Sequence, residues 1–505
     1  MIPSLLRSLP VFLLLTTTFN AEAKSPSLQG GKITPTSVQD SSGSQEHVGS
    51  VGSGSYGSSV GDGAVGAKHI LHFSDVHLNI SESLDSNESA EIPIQYGYDA
   101  PISLLTSALE YAKQVLPDPD FFLYTGDHAV HGDPSDEYLA EAVKVNVETM
   151  ARYFSGNGTL NATAILGDTD TKNYTMSVTD PSSEENPTIE AVSQAWSESL
   201  SATNLKDLNT RGYLSYKLDE KLVLLTLNTV PYSPKHKPDT TNETDPFDQF
   251  AWLNATLWGL RNGNKFAYIA GHIPPIINAQ DGSPMWKPSY IDSYKKIVTQ
   301  YSDVIKAQIF GHTHSVEFRL PLTADMESHD PDEVIAADNS DQNSQLVPLF
   351  MSAAISPLFY NNPAFMVWDF DPSTYDLMDF TVYGTNISDD SQTLDWKLLF
   401  KVSTAYNVSS LSWSEMNSFI GSAATDSALV EQYYYNSQTQ SYQQTSCEDS
   451  VCLTWYLCSM MWWSTPEDYT ACLAAGSRLE SSSAAVSRSP TLLVLVSISI
   501  LASWL

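Results

Sequence analysis

Apolar runs along this chain repeatedly stop at a small residue followed at once by a side chain that can ligate a metal. Residues 69–73 run into Ser74-Asp75-Val76-His77, and residues 121–125 run into Gly126-Asp127. The same change occurs from 162–166 into Gly167-Asp168, from 266–270 into Gly271-His272, and from 305–310 into Gly311-His312-Thr313-His314. Short apolar runs bounded by glycine predict buried strands. Between them, Leu104, Leu105, Ala108, Tyr111, Ala112 and Val115 recur at helical spacing, closed by Pro117 and Pro119. Further helices are predicted over 136–154, 247–261 and 289–301. A hairpin pairs 213–218 with 222–227, and later strands are predicted at 346–351, 365–370 and 380–383. Strands alternating with helices predict an α/β domain. Ligands in such folds gather beyond the carboxyl ends of the strands, so the five loops are expected to converge.

The flanks read differently. Residues 1–23 hold Arg7, an apolar run and Ala21-Glu22-Ala23, the layout of a cleaved secretory leader. Residues 24–66 are rich in Ser and Gly and too poor in apolar residues to offset ordering entropy, so they predict a disordered linker. The metal-loop pattern and its strands define a domain over 67–394, and residues 395–475 change character towards a small helical subdomain. Residues 476–505 end in an apolar run of about 15 residues, short of the ~20 that span a bilayer. Small residues precede it, which predicts a GPI-attachment signal; the rival reading is a C-terminal membrane anchor.

Charge and cysteine usage narrow the class. Fifty-nine acids against 25 bases give a formal net charge of −34 over 505 residues. Such a surface disfavours nucleic acid as a partner. Glycosylation acceptors stand at Asn79, Asn87, Asn157, Asn161, Asn173, Asn242, Asn254, Asn386 and Asn407. With a leader they predict a glycoprotein of the secretory pathway, extracellular, at the cell surface or in a lysosome-like compartment. The cysteines, Cys447, Cys452, Cys458 and Cys472, lie close together and predict two local disulfides of open connectivity. Trp455, Met460, Met461, Trp462 and Trp463 form either a lipid-facing patch or, the preferred reading, an inter-domain packing surface.

The strand-end residues Asp75, His77, Asp127, Asp168, His272, His312 and His314 suit two first-row divalent ions. Two such ions would activate a water and clamp a phosphoryl group. These blocks resemble those of the calcineurin-like binuclear metallophosphoesterases. Gly271-His272-Ile273-Pro274-Pro275, Gly311-His312-Thr313-His314, His131 four residues after Asp127, Asn361-Asn362-Pro363 and the late cysteines resemble the acid sphingomyelinase-like phosphodiesterases.

The resemblance implies a four-layer αββα sandwich with a small helical, disulfide-stapled C-terminal subdomain paired Cys447–Cys452 and Cys458–Cys472. It implies zinc as the ion, with Asp75, His77 and His314 at one metal, Asp168, His272 and His312 at the other, and Asp127 bridging. A metal-bridging hydroxide would attack, and His131 would protonate the leaving group. The implied activity is hydrolysis of phosphoric diesters, sphingomyelin or a nucleotide. Apart from the resemblance, the tail predicts membrane attachment through a C-terminal anchor, and a monomer is expected. No cysteine lies in 24–66, unlike the saposin domain of acid sphingomyelinase, which favours the smaller relatives. One block departs: the family has Gly-Asn-His where this chain has Gly167-Asp168-Thr169. The loss of an imidazole predicts an active but altered enzyme in which Thr169→His raises the rate. Endopolyphosphatase and a catalytically impaired surface binding protein are the alternatives.

Overall fold

The computed structural model describes residues 66–81, 92–154, 163–180, 185–321, 346–387 and 394–483, with side chains to residue 474. The predicted leader, the linker as far as residue 65, the apolar tail from 484 onward and the acceptors Asn87, Asn157 and Asn161 lie outside the described residues. Among the described residues no helix is long and apolar enough to cross a membrane.

The strands in chain order are β1 (Lys68–Phe73), β2 (Phe121–Tyr124), β3 (Leu214–Lys217), β4 (Leu222–Thr226), β5 (Phe266–Gly271) and β6 (Ile305–Phe310). They continue with β7 (Glu317–Pro321), β8 (Leu349–Met351), β9 (Ala364–Phe370), β10 (Leu377–Gly384), β11 (Lys397–Lys401) and β12 (Met461–Trp462). Two sheets result. One is five-stranded in the order β11-β10-β9-β1-β2, the other seven-stranded in the order β12-β7-β8-β6-β5-β4-β3. β1 and β2 are parallel, as are β4, β5 and β6. β3 and β4 form the predicted antiparallel hairpin.

Side chains alternate across a strand, and both faces of these sheets are covered. On β5, Tyr268 turns inward, its ring 6.3 Å from Phe121 and 6.0 Å from Phe370 of the other sheet. Phe350 of β8 likewise meets Trp368 of β9 at 5.5 Å. Burying each such aromatic stabilises the interlayer by roughly 1.5–3 kcal/mol. Ala267 and Ile269 of β5 face the opposite way, into a second core. There they join Phe250, Leu253 and Leu257 of α5 (Gln249–Asn262) and Tyr290, Ile291 and Tyr294 of α6 (Pro288–Gln300).

The outer face of the five-stranded sheet is covered by α1 (Ile102–Val115) and α2 (Asp136–Phe154). Phe73 stacks on Phe365 at 5.0 Å, with Tyr111 of α1 beyond it, and Phe122 meets Phe154 of α2 at 5.5 Å. The helix α3 (Pro187–Ser193) is capped by Asn186, whose side chain accepts from two backbone N–H groups. α4 (Ala202–Arg211) is capped by Ser201 and ends at Gly212 in the left-handed region.

The predicted third strand, 162–166, is not a strand. Residues 163–166 are buried but join no ladder. Side chains take the place of a partner strand: Thr163 Oγ1 accepts from Tyr124 N at 3.1 Å, and Ala164 N donates to the Tyr216 hydroxyl at 3.2 Å.

The C-terminal residues supply β11 to one sheet and β12 to the other. They also form α7 (Val402–Tyr406), α8 (Trp413–Ala423), α9 (Ser427–Ser437), α10 (Ser450–Ser459) and α11 (Pro466–Ser483). Disulfides join Cys447 to Cys452 and Cys458 to Cys472, the pairing the resemblance implies. Trp462 and Met460 are buried, which answers the lipid-patch alternative: they are core, and of the five residues only Trp455 is exposed. Of the described acceptors, Asn173, Asn242, Asn254, Asn386 and Asn407 are exposed. Asn79 is half-buried, and its Oδ1 accepts from Tyr138 at 3.2 Å.

Candidate metal centre

The loops after β1, β2, β5 and β6, and the segment 163–166, do converge. The chain turns sharply after β1, β2 and β6. Asp75 (φ 50°), His77 (48°), Asp127 (57°), His312 (70°) and His314 (54°) all occupy the left-handed region. Non-glycine residues adopt it rarely, and clusters of them mark sites where surrounding bonds over-determine the backbone. Those bonds are visible. Asp75 N donates to Gly126 O at 3.1 Å, His77 N to Asp127 O at 3.1 Å, and Leu78 N to His128 O at 2.7 Å.

Asp170 ties the second and third loops together. Its carboxylate accepts from the backbone N–H groups of Asp127, His128, Ala129 and Gly167 at 2.8–3.2 Å, and from His128 Nδ1 at 2.9 Å. Gly167 must be glycine here: a Cβ would lie 1.9 Å from Asp127 Oδ1.

The seven predicted side chains fall on two sides of Asp127. Asp127, Asp168, His272 and His312 form one group; on the other side Asp75, His77 and Asp127 form a second, and His77 belongs also to a third with His314 and His131. In the first, His272 Nε2 lies 3.1 Å from Asp127 Oδ2 and 3.2 Å from Asp168 Oδ1. His312 Nδ1 lies 2.9 Å from Asp168 Oδ1. Across the second and third, His77 Nε2 is 3.4 Å from Asp127 Oδ2 and 3.0 Å from His314 Nε2, and His314 Nε2 is 3.5 Å from Asp75 Oδ1.

The donor chemistry fits two cations. His77 Nδ1 donates to Ala129 O and His272 Nδ1 to Thr125 O, at 3.1 and 2.8 Å, which turns each Nε2 toward the carboxylates. Burial opposes a charge on His272, but Asp127 and Asp168 outweigh it and raise it well above the ordinary range, so a cation bound there would take the place of its Nε2 proton. Asp75, Asp127 and Asp168 are buried, and their ion-pair partners among the described residues are histidines. Three converging buried carboxylates need positive charge. Burial and neighbouring imidazoles push His77 and His314 well below the ordinary range, which keeps them in the neutral form a metal requires. Burial opposes a charge on Asp168 too, but His312 and His272 outweigh it and hold that carboxyl well below its usual range.

His131 lies beside the second group, its ring stacked on His77 with centroids 3.8 Å apart. Asp99 orients it: Asp99 Oδ1 accepts from His131 Nδ1 at 2.8 Å, and Oδ2 from His131 N at 2.9 Å. The strand-end pattern misses Asp99, which sits in a loop with no strand before it. The pattern also misreads Thr169. Thr169 Oγ1 and N donate to Asp127 Oδ1 at 2.9 and 3.0 Å, so the threonine holds the shared carboxylate. Phe359 stands edge-on over His314 and His131, half exposed at the rim.

Comparison with known proteins agrees with this geometry. Residues 68–316 match the calcineurin-like phosphoesterase family. Residues 344–478 match the acid sphingomyelin phosphodiesterase C-terminal region. The chain thus belongs to the calcineurin-like metallophosphoesterases, enzymes with a binuclear His/Asp centre, in the acid sphingomyelinase-like phosphodiesterase branch. It is a phosphoric diester hydrolase by class. It is 26% identical over 381 residues to Sphingomyelinase phosphodiesterase C of Dictyostelium discoideum, spanning 72% of this chain and 80% of that protein. Acid sphingomyelinase-like phosphodiesterase 3b of Mus musculus is 25% identical over 432 residues, 79% of this chain and 89% of that one. Cyclic GMP-AMP phosphodiesterase SMPDL3A of Homo sapiens is 25% identical over 413 residues, 77% and 84% respectively.

Proposed function

We propose that this chain hydrolyses a small phosphoric diester, a sphingomyelin-type lipid or a nucleotide, at a centre of two divalent ions, most simply zinc. The sharing of Asp127 between two His/Asp groups, with the Asp99–His131 pair at one side, carries this reading. Asp75, His77 and His314 would hold one ion, Asp168, His272 and His312 the other, with Asp127 common to both. Bound there, the ions would supply an activated water and offset the negative charge that builds on the phosphoryl oxygens. The remaining steps belong to the protein. Thr169 fixes the Asp127 carboxylate. Asp99 holds His131 with Nδ1–H engaged, so that Nε2–H is free to protonate the departing alkoxide. Phe359 offers a face or edge to the organic part of the diester. The names of the relatives support sphingomyelin and cyclic dinucleotides as the substrates to try. The expected leader, the acceptor sites and the disulfides support a glycoprotein of the secretory pathway.

The deciding experiment offers sphingomyelin, a cyclic dinucleotide, ATP, a bis-aryl phosphate and polyphosphate to the purified protein at pH 5 and pH 7, before and after chelation. Hydrolysis of a diester that is lost with the chelator and restored by zinc is the expected result. Cleavage of polyphosphate alone would favour an endopolyphosphatase. No turnover with zinc, manganese or cobalt would favour a binding protein.

A further inference from the structure

His72 is a histidine with no place in the reaction, buried in the apolar layer between the sheets. Its strand register puts it diagonal to Trp368: on β1 and β9, Ile70 lies opposite Trp368 and His72 opposite Met366. The Trp368 indole Nε1 donates to His72 Nδ1 at 3.2 Å. An indole N–H only donates, so Nδ1 must accept and the neutral ring carries its proton on Nε2. That proton goes to Thr125 Oγ1 at 2.9 Å. With one acceptor position filled, the Thr125 hydroxyl donates to Ser74 Oγ at 2.6 Å. Ser74 in turn donates to Asp75 Oδ2. Every member is buried. Burial also pushes His72 down to about 3, so the ring stays neutral and the direction of the chain persists.

We propose that Trp368 and His72 position the Asp75 carboxylate from inside the core, through a one-way hydrogen-bond chain that pins Oδ2 and leaves Oδ1 to the divalent ion shared with His77 and His314. The side toward the metal agrees: Asp75 Oδ1 is the oxygen that lies 3.5 Å from His314 Nε2 and 3.9 Å from His77 Nε2. The His312 N–H is shared between the two oxygens, 3.1 Å from Oδ1 and 3.0 Å from Oδ2, so the Ser74 hydroxyl is what distinguishes Oδ2. The space agrees as well. A Cβ at Gly311 would sit 2.4 Å from Ser74 Oγ, 2.8 Å from Asp75 Oδ2 and 3.1 Å from Thr125 Oγ1, so the loop after β6 carries glycine where the chain passes. Trp368 and His72 are positioning residues: neither touches the reacting atoms.

The inference rests on the two-ion reading, and the test separates the two. Zinc affinity of the full chain is measured by chelator competition at pH 7, with melting temperature as the control for folding. Thr125→Val, close in shape to the native residue, and Trp368→Phe, smaller but still aromatic, are expected to lose roughly 10–100-fold in affinity for one ion, the usual cost of removing an outer partner. His72→Gln, which keeps a donor near the Nε2 position, is expected to rescue most of the loss seen in His72→Leu. Folded Thr125→Val and Trp368→Phe chains that bind both ions like the wild type would overturn the proposal. A second measurement needs no variant: ¹⁵N NMR of labelled histidine is expected to show His72 as the Nε2–H tautomer, and the Nδ1–H tautomer would overturn the chain of donors outright. If the wild-type chain binds no zinc at all, the two-ion reading fails, while the tautomer still decides whether the chain of donors exists.

Discussion

At position 169 the family pattern has an imidazole, and this chain has a threonine whose hydroxyl and backbone N–H both hold Asp127 Oδ1. The expectation that Thr169→His raises the rate treated the position as a lost donor. The structure makes it a donor to the shared carboxylate. Thr169→Val is therefore expected to lower kcat on a bis-aryl phosphate by about tenfold, the low end of outer-partner losses, while Thr169→Ser stays near wild type. An unchanged Thr169→Val would mean that the backbone N–H suffices. His131 gives a pH prediction. Burial opposes its charge, but the hydrogen bond and charge of Asp99, with Asp127 and Asp168, outweigh burial and raise it. A general acid works protonated, so activity falls as pH rises through the His131 pKa. Asp99→Asn removes a negative partner and lowers that pKa, so the alkaline limb of the kcat–pH profile is expected to move to lower pH. His131→Ala should abolish the limb and cost about 10²–10⁴ in kcat. A limb that stays put in Asp99→Asn would remove His131 as its source. The candidate ligand positions stood out because each follows a buried apolar run, a strand in every case but the one before Asp168. Asp99 was not, because it acts through His131 from a loop whose own pattern carries no signal.

Elements were legible where burial on both faces makes a continuous apolar run, as in β1, β2, β5 and β6. They were not where polar residues pair inside the core. β7 escaped because Glu317 and Arg319 look like surface residues, yet they bond each other at 2.7 Å and are buried. β12 spans two residues and exists only through its pairing with Leu320 and Pro321. Its Trp462 matters to the metal centre at one remove: the indole donates to Pro275 O at 2.7 Å, three residues beyond His272. Trp286 donates to Ile273 O in the same loop at 2.8 Å. The Cys458–Cys472 bridge closes a separation of 14 residues around β12. Replacing both cysteines with serine is expected to cost about 3 kcal/mol, read as a lower urea midpoint at constant slope. If the centre depends on β12 through Trp462, the same variant loses activity at a lower urea concentration than the one at which its bulk fluorescence changes. Coincident transitions would show that the loop of His272 is held by Trp286 and the strand alone.

On the scale of the whole molecule, two sheets direct their loops to one point, and the full 505-residue chain carries a formal net charge of −34. The pattern of strand ends made the convergence legible, since β1 and β2 in one sheet and β5 and β6 in the other are each parallel and end together. The charge enters the function through encounter rather than chemistry. A like-charged substrate is repelled over a Debye length, which shrinks from about 30 Å at 0.01 M salt to about 8 Å at 0.15 M. Salt therefore weakens repulsion for an anionic diester and does little for a zwitterionic one. Raising salt from about 0.01 to 0.15 M is expected to increase kcat/KM for a dinucleotide several-fold at pH 7, with kcat unchanged, because steering acts on association. A phosphocholine diester of comparable size should show a flat profile. At pH 5 the carboxylates approach their ordinary pKa values of about 4, so the salt effect on the dinucleotide should shrink. A salt-independent dinucleotide profile at pH 7 would mean that the ions at the centre, not the acidic exterior, set the potential along the path of entry.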